Sequence, residues 1–242
     1  MNRAIDSADV DGDAYERDGY LIVPSLFGAD EAIRMKAIAY DNVTAKANEF
    51  GVEVWTPSRV PDEVFRKIIR GPGMVAILRT LIGPNVDFLS VKPVFKSAAV
   101  TEASPWHQDR PYWGGSEKVS VWIALDRATV DNGCLKVVPG SHKMTFSHER
   151  VATDGFANLL TDDTIADLPV VSAELQPGDA LFFSDLTVHA SHPNRTGADR
   201  WSLIPTYRNA DVPDESQIWA DPVRVTDETG SSANLEEKNA EQ

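Results

Sequence analysis

The triplet His107-Gln108-Asp109 places an imidazole and a carboxylate two positions apart. In an extended strand, side chains at positions i and i+2 point to the same face, so a histidine nitrogen and a carboxylate oxygen can converge on one point. Together with a second, distant imidazole, such a pair makes the facial triad of a non-haem Fe(II) site, which leaves coordination positions open. Because an isolated His-x-Asp is common, a metal site also requires a suitable third ligand elsewhere.

The chain contains five histidines, and His189 is the best candidate for the second imidazole. It lies within residues 186–191, a strand-like run that follows two other predicted strands. His142 follows Pro-Gly-Ser at a strand end, where we expect it to support the turn or to line the rim of the site. His148 is expected at the surface, and His192, which precedes a proline, is expected in a turn.

A triad of this kind needs a reductant, and 2-oxoglutarate is the usual one. Its 1-carboxylate and 2-keto oxygen chelate iron, so its 5-carboxylate must be held by a fixed charge in a buried place. An arginine suits this role because its planar guanidinium binds a carboxylate in bidentate fashion and stays charged when desolvated. Arg200 begins a predicted strand that can lie beside the strand of His189, whereas Arg195 lies in the turn between them. Ser191 shares the face of His189 and could add a hydroxyl donor.

The elements that must position these residues change from helical to β along the chain. Apolar spacing of three and four, with glycine or proline at the ends, predicts helices over residues 7–18, 30–49, 61–70 and 74–82. Turn signals between short apolar runs predict strands over residues 20–23, 86–96, 119–125, 134–138, 170–175, 180–183, 186–191 and 200–207. Residues 143–169 form a long polar loop, a kind of segment that often acts as a lid. We therefore expect a mainly β fold, a sandwich or barrel, with flanking helices.

The overall composition restricts the classes of function. The 242 residues predict one domain over residues 1–225 and a polar, flexible tail over residues 226–242. A net charge of −14 argues against nucleic-acid or anionic-membrane partners but not against a small anionic substrate. The single cysteine, Cys134, excludes an intramolecular disulfide and a Cys-rich zinc site. With no signal peptide or membrane span in the sequence, we expect a cytoplasmic protein; its oligomeric state is left open.

Several ordered motifs of the chain resemble the phytanoyl-CoA dioxygenase family. Residues 18–23 resemble the opening strand of that family, and Gln176-Pro177-Gly178-Asp179 with Phe182 resembles a later turn and strand. The motifs nearest the candidate site are Trp106-His107-Gln108-Asp109, Asn132-Gly133-Cys134-Leu135, Pro139-Gly140-Ser141-His142, and His189 followed by Ser191 and Arg200. The likeness runs from about residue 14 to about residue 208.

This resemblance implies a double-stranded β-helix, or jelly roll, that holds Fe(II) and uses 2-oxoglutarate and O2. Carried over by position, the implied iron ligands are His107, Asp109 and His189. The implied cosubstrate contacts are Arg200, Ser191, Trp122 and, by a loose match, Lys92. Trp122 could equally be an ordinary core residue of its strand.

Asp109 bears on the type of reaction, because related halogenases replace this carboxylate with a small residue. Its presence predicts hydroxylation of an unactivated C–H in a small molecule, a secondary metabolite or an amino-acid-like compound, with release of succinate and CO2. The same oxidant could instead perform desaturation, epoxidation or cyclisation. A non-catalytic ligand-binding β-helix protein and an iron oxygenase without 2-oxoglutarate are alternatives. Candidate substrate contacts are Tyr112, Trp113, Phe95 and Trp55.

Overall fold

The computed structural model describes residues 10–43, 51–150, 156–216, 218–219 and 221–226. Its helices are α1 (Gly12–Asp18), α2 (Ala29–Asn42), α3 (Asp62–Val64), α4 (Pro72–Ile82), α5 (Arg110–Trp113) and α6 (Asp162–Ile165). A π-helical turn, Phe65–Ile69, continues α3, and short 3-10 turns span Pro57–Arg59 and Ser141–Lys143. Among the described helices, none is long and apolar enough to cross a bilayer.

The strands form antiparallel sheets. They are β1 (Tyr20–Val23), β2 (Val86–Lys96), β3 (Lys118–Ala124), β4 (Leu135–Val137), β5 (Glu149–Arg150), β6 (Asn158–Leu159), β7 (Val171–Ala173), β8 (Ala180–Ser184), β9 (His189–Ser191), β10 (Arg200–Asn209) and β11 (Val223–Arg224). The large sheet has the order β1-β8-β3-β10-β2-β11, and the small sheet has the order β7-β4-β9. Strands β5 and β6 pair as a separate ribbon.

The two faces of the large sheet are buried by different partners. On one face, Trp122 of β3 and Phe183 of β8 pack with Leu135 and Val137 of the small sheet. On the other face, alternate residues such as Val121 pack in a core cluster shared with α2 and α4. The sheet-on-sheet core and the alternation along each strand are those of a jelly roll flanked by helices, so the predicted fold class is confirmed.

Two turns predicted from the sequence depend on the conformational freedom of glycine. Gly19 ends α1 in the left-handed region, with φ of 78°, and leads directly into β1. Gly178 has φ of 92°, and a β-carbon there would lie 2.1 Å from the backbone oxygen of Phe27. A larger residue at position 178 would therefore push apart the segments joining β1 to α2 and β7 to β8.

The remaining differences from the predicted elements are local. The helix predicted over 61–70 is divided into α3 and the π turn, and the strand predicted over 186–191 narrows to β9. The loop over 143–169 contains β5, β6 and α6, while its residues 151–155 lie outside the described part. Residues 7–9 and 44–49 of the predicted helices, and 227–242 of the predicted tail, also lie outside it.

Candidate active site

His107 and His189 are brought together by backbone pairing. They form an isolated antiparallel bridge, in which the amide of each donates to the carbonyl of the other at 3.0 Å. Their ring centroids are 4.1 Å apart. His189 begins β9, so the bridge extends the small sheet by one residue and places both imidazoles on its inner side.

Asp109 reaches the same point from a different backbone conformation. It precedes α5 with helical dihedrals, φ −76° and ψ −31°, so the extended strand predicted across residues 107–109 is wrong at this position. Its Oδ1 nonetheless lies 3.8 Å from Nε2 of His107. One ligand atom from each of His107, Asp109 and His189 lies within 4.8 Å of the others, and all three residues are buried.

The chemistry of this donor set fits a divalent metal ion. Nδ1 of His107 lies 2.8 Å from the carbonyl of Pro105, and Nδ1 of His189 lies 2.9 Å from that of Thr187. Each Nδ1–H donates to a carbonyl, which leaves the Nε2 lone pair free for a metal. Burial, followed by the nearby His189, lowers the pKa of His107 to about 3. Burial also lowers the pKa of His189. Both imidazoles are therefore neutral, as ligands must be.

Further contacts tie the two ligand-bearing segments together. The side-chain amide of Gln108 donates to the carbonyl of Leu186. Arg110 Nε and Nη2 donate to the two carboxylate oxygens of Asp185 at 2.6 and 2.8 Å, and its backbone amide donates to the Asp185 carbonyl at 3.0 Å. Arg110 and Asp185 were not predicted from the sequence, because their pairing depends on contacts between distant segments.

Arg200 begins β10 with its side chain in the interior. It is 1% exposed; Nη1 donates to Oγ of Ser202 at 3.1 Å and Nη2 donates to the carbonyl of Gly133 at 2.8 Å. Within the described part of the chain, its Nε has no hydrogen-bond partner. The guanidinium carbon lies 5.2 Å from the ring centroid of Trp122. Burial lowers the pKa of Arg200 to about 10.

Lys96 is a second buried cation that the sequence analysis did not single out. It lies directly opposite Arg200 in the β2–β10 register and is 3% exposed. Its ammonium donates to the carbonyl of Glu102. Burial, and secondarily the charge of Arg200, lowers the pKa of Lys96 to about 8. No carboxylate among the described residues lies within ion-pair distance of either cation. Adjacent buried cations with an unpaired N–H fit an anionic group such as the 2-oxoglutarate 5-carboxylate.

The metal-ligand triad and the two cations border one cavity of about 360 Å³. Of the predicted cosubstrate contacts, Arg200, Ser191, Trp122 and Lys92 all line it. The Ser191 hydroxyl accepts from the amide of Ser104 at 2.8 Å, while Ser202 is the hydroxyl that contacts Arg200. The other lining residues are Val52, Val54, Val94, Lys96, Ser104, Tyr112, Trp113, Leu135, Phe156, Phe183 and Ile204.

The predicted substrate residues divide into two groups. Tyr112 and Trp113 line the cavity, and the Tyr112 hydroxyl donates to the carbonyl of Asn158 at 2.7 Å. Phe95 is on the opposite face of β2, where it stacks on Trp201 with ring centroids 4.8 Å apart. Trp55 is 1% exposed and belongs to the core cluster on the helical side of the large sheet. The structure does not bring Phe95 or Trp55 to the cavity.

The other histidines of interest lie apart from the metal-ligand triad. Nε2 of His142 lies 3.2 Å from the carbonyl of Glu16, so this residue joins its turn to α1. Nε2 of His192, which follows β9, lies 2.9 Å from Oγ of Ser172 in β7. Both contacts are structural.

Comparison with known proteins identifies the family of this chain. The model of the family described as "Phytanoyl-CoA dioxygenase (PhyH)" matches residues 15–202. The chain belongs to the PhyH family. A probable phytanoyl-CoA dioxygenase of Caenorhabditis elegans is 28% identical over 231 residues, with 82% of this chain and 74% of the relative covered. The L-proline trans-4-hydroxylase of Streptomyces griseoviridis is 26% identical, with 80% and 83% covered.

Solved structures also share the fold of this PhyH-family protein. The epimerase SnoN, crystallised with Fe3+, α-ketoglutarate and a nogalamycin compound, aligns with a TM-score of 0.69 at 23% identity. The alignment covers 88% of this chain and 91% of SnoN. The predicted family and its class, the non-haem Fe(II)/2-oxoglutarate-dependent oxygenases, are thus confirmed.

Proposed function

We propose that this protein is an Fe(II)- and 2-oxoglutarate-dependent dioxygenase that hydroxylates an unactivated C–H of a small organic molecule. The observation that carries the proposal is the sharing of one cavity by a buried His-Asp-His triad and by paired buried cations that have no carboxylate partner among the described residues. A metal ion and a carboxylate-bearing cosubstrate can therefore bind side by side, with room left for a third molecule.

His107, Asp109 and His189 would hold the metal through two Nε2 atoms and one carboxylate oxygen. Bound iron(II), together with 2-oxoglutarate and O2, supplies an oxidant strong enough to attack a C–H bond, with succinate and CO2 as by-products. The carbonyls of Pro105 and Thr187 fix both rings so that Nε2 faces the metal position. The Arg110–Asp185 pair keeps the Asp109 segment against the strand of His189.

Arg200 and Lys96 would bind the 5-carboxylate of 2-oxoglutarate at the inner end of the cavity. The indole of Trp122 lies beneath the guanidinium and blocks water from that side. Ser191 lines the space between this end and the metal-binding end, since it is two residues from His189 on the same strand. The loose match of Lys92 to a cosubstrate contact is better fulfilled by Lys96, because Lys96 is the lysine opposite Arg200.

Substrate would occupy the remainder of the cavity, next to Tyr112 and Trp113. The retained Asp109 carboxylate favours hydroxylation over halogenation, since it occupies the position where a halide would bind. Relatives include an L-proline trans-4-hydroxylase and, over 102 residues at 39% identity, a methylphosphonate hydroxylase. Because metal and cosubstrate would take part of the cavity of about 360 Å³, the remaining space suits a small secondary metabolite or an amino-acid-like compound.

The test is anaerobic addition of Fe(II) and then 2-oxoglutarate, with measurement of the weak metal-to-ligand charge-transfer absorption in the green region. We expect the band in the wild-type protein and its loss at moderate 2-oxoglutarate concentrations in Arg200→Ala, with iron binding kept. Arg195→Ala is the matched control. It removes the same charge from an exposed residue in the preceding turn. Absence of the band in the wild-type protein would overturn the proposal.

A further inference from the structure

The charge of the cavity is opposite to that of the whole protein. The chain carries a net charge of −14, yet the charged side chains lining the cavity are three cations, Lys92, Lys96 and Arg200, and one carboxylate, Asp109. A concave site lined by one sign of charge concentrates ligands of the opposite sign. In an acidic protein, such a positive site favours anions that the remaining surface repels.

The machinery of the proposed function accounts for only part of this positive charge. Asp109 would bind iron(II), which leaves one positive charge at the metal. The 1-carboxylate of 2-oxoglutarate, which chelates the metal, would offset that charge, and the 5-carboxylate would offset one of the two charges of Arg200 and Lys96. The charge of Lys92 and one charge of the Arg200–Lys96 pair then have no counterpart among the described lining residues. With metal and cosubstrate bound, the cavity therefore stays positive.

Lys92 lies at a separate position from the cosubstrate cations. It precedes Lys96 by four residues on β2, so both side chains share one face of the strand about 13 Å apart along it. Its ammonium lies 4.9 Å from the ring centroid of Trp113. Within the described chain it has no ion pair or hydrogen bond with a carboxylate. One carboxylate bound between Arg200 and Lys96 would thus leave Lys92 available.

The surface beside Lys92 is apolar. The lining residues next to it are Trp113, Val94 and Ile204, of which Ile204 is directly opposite Lys92 in the β2–β10 register. Such a surface binds a hydrocarbon body, while the ammonium binds a charged end. We propose that the substrate is a small organic anion whose carboxylate or phosphonate oxygens bind Lys92 and whose apolar part packs against Trp113 and Ile204. This inference rests on the proposed function, because it concerns the same cavity in its loaded form.

The test uses matched pairs of probes and the anaerobic Fe(II)–2-oxoglutarate form of the full chain. Alkyl and aryl carboxylates and phosphonates are each compared with the neutral amide or alcohol of the same skeleton, by equilibrium binding and then by succinate formation in air. The proteins are wild type, Lys92→Met, Lys92→Arg and Lys136→Met. Lys136 is the control, because its ammonium also lies over an indole, 4.4 Å from the ring centroid of Trp106, but outside this cavity.

We expect acids to bind the wild-type protein at least about tenfold more tightly than their neutral partners, as a hydrogen bond to a charged group implies. Lys92→Met should lose this preference, while Lys92→Arg and Lys136→Met keep it. Equal binding of acids and neutral partners, an acid preference that survives in Lys92→Met, or no binding of any acid would overturn the inference.

The charge-transfer band is recorded first in every variant. If it is absent from the wild type, the proposed function itself fails; if it is present, the probe results judge Lys92 alone. Carboxylate-only or phosphonate-only binding identifies the anion.

Discussion

Lys96→Met should make the free protein more stable while weakening its binding of 2-oxoglutarate. Lys96 and Arg200 are paired directly across β2 and β10, and both are almost fully buried. Like charges at directly opposed positions destabilise a sheet. Methionine fills nearly the same space without the charge, so the substitution removes this repulsion and also removes one of the groups that attract the cosubstrate carboxylate.

The expected effects of Lys96→Met on stability and on 2-oxoglutarate affinity are opposite in direction. Relief of the cross-strand repulsion should stabilise the free protein by up to about 1 kcal/mol, which raises the melting temperature by about 2–4 °C in a chain of this size. Loss of a hydrogen bond between charged groups costs about 1.5–3 kcal/mol. The dissociation constant of 2-oxoglutarate should therefore rise roughly 10- to 100-fold.

The pH dependence of 2-oxoglutarate affinity tests the role of Lys96 independently. Because burial lowers the pKa of Lys96 to about 8, the lysine is already charged below pH 8 and binds the carboxylate at no cost in protons. Above pH 8 the cosubstrate must bind together with a proton, so affinity should fall by up to about tenfold per pH unit. Arg200, the cation directly opposite Lys96, has its pKa lowered by burial to about 10 and keeps most of its charge over this range. Lys96→Met should remove this pH dependence.

The assay is anaerobic titration of the Fe(II) protein with 2-oxoglutarate at pH 7 to 9, followed by the charge-transfer band, with thermal melting of the metal-free protein measured alongside. Lys136→Met serves as the control for loss of one positive charge. If Lys96→Met lowered both the melting temperature and the affinity, Lys96 would be a packing residue only. If the affinity and its pH dependence were unchanged, the cosubstrate carboxylate would lie elsewhere.

Three further substitutions test other parts of the structure. Asp185→Asn weakens the bidentate contact to Arg110 that fixes the Asp109 segment. The dissociation constant of Fe(II), measured in a metal titration, should therefore rise about tenfold. A lowered melting temperature with unchanged iron affinity would contradict this. Phe95→Leu removes the stacking on Trp201 and should destabilise the fold by about 1 kcal/mol in urea unfolding, while a changed KM for substrate would show that Phe95 does reach the cavity. Gly178→Ala would place a β-carbon 2.1 Å from the Phe27 carbonyl at a residue with positive φ. It should destabilise the fold by about 2 kcal/mol, measured by thermal melting. A neutral result would mean that the turn readily rearranges.

Local pattern was sufficient to predict the strands and to select the three residues that the structure brings together as a candidate metal site. The alternation of apolar residues along β2 and β3 predicted their bounds within about one residue, because each strand packs against different partners on its two faces. His107 could be chosen because of its spacing to Asp109, and His189 because it lies in a strand-like run. Their direct backbone bridge was not predictable, since it depends on the register between segments far apart in the chain.

For two of the residues whose positions were predicted wrongly, Asp109 and Phe95, the sequence contained features that indicate the correct position. Pro111 occupies the first turn of α5, a position that proline favours, so a helix beginning after Asp109 could have been predicted. Phe95 differs in strand parity from Lys92 and Lys96 and must face the opposite side of β2. Lys96 itself carried no sign of burial, because a lysine in a strand is usually exposed and only its pairing with Arg200 places it inside.

The position of β10 has a consequence for the order in which the enzyme is completed on the ribosome. This strand lies between β3 and β2 in the large sheet, although it follows both by many residues in the chain. A nascent chain that has emerged only as far as residue 199 contains the whole His-Asp-His triad, but β2 and β3 still lack the strand that joins them. Arg200, the first residue of β10, arrives with that strand. If Arg200 holds the cosubstrate as proposed, a chain can bind 2-oxoglutarate fully, and so generate a strong oxidant, only after its large sheet has closed.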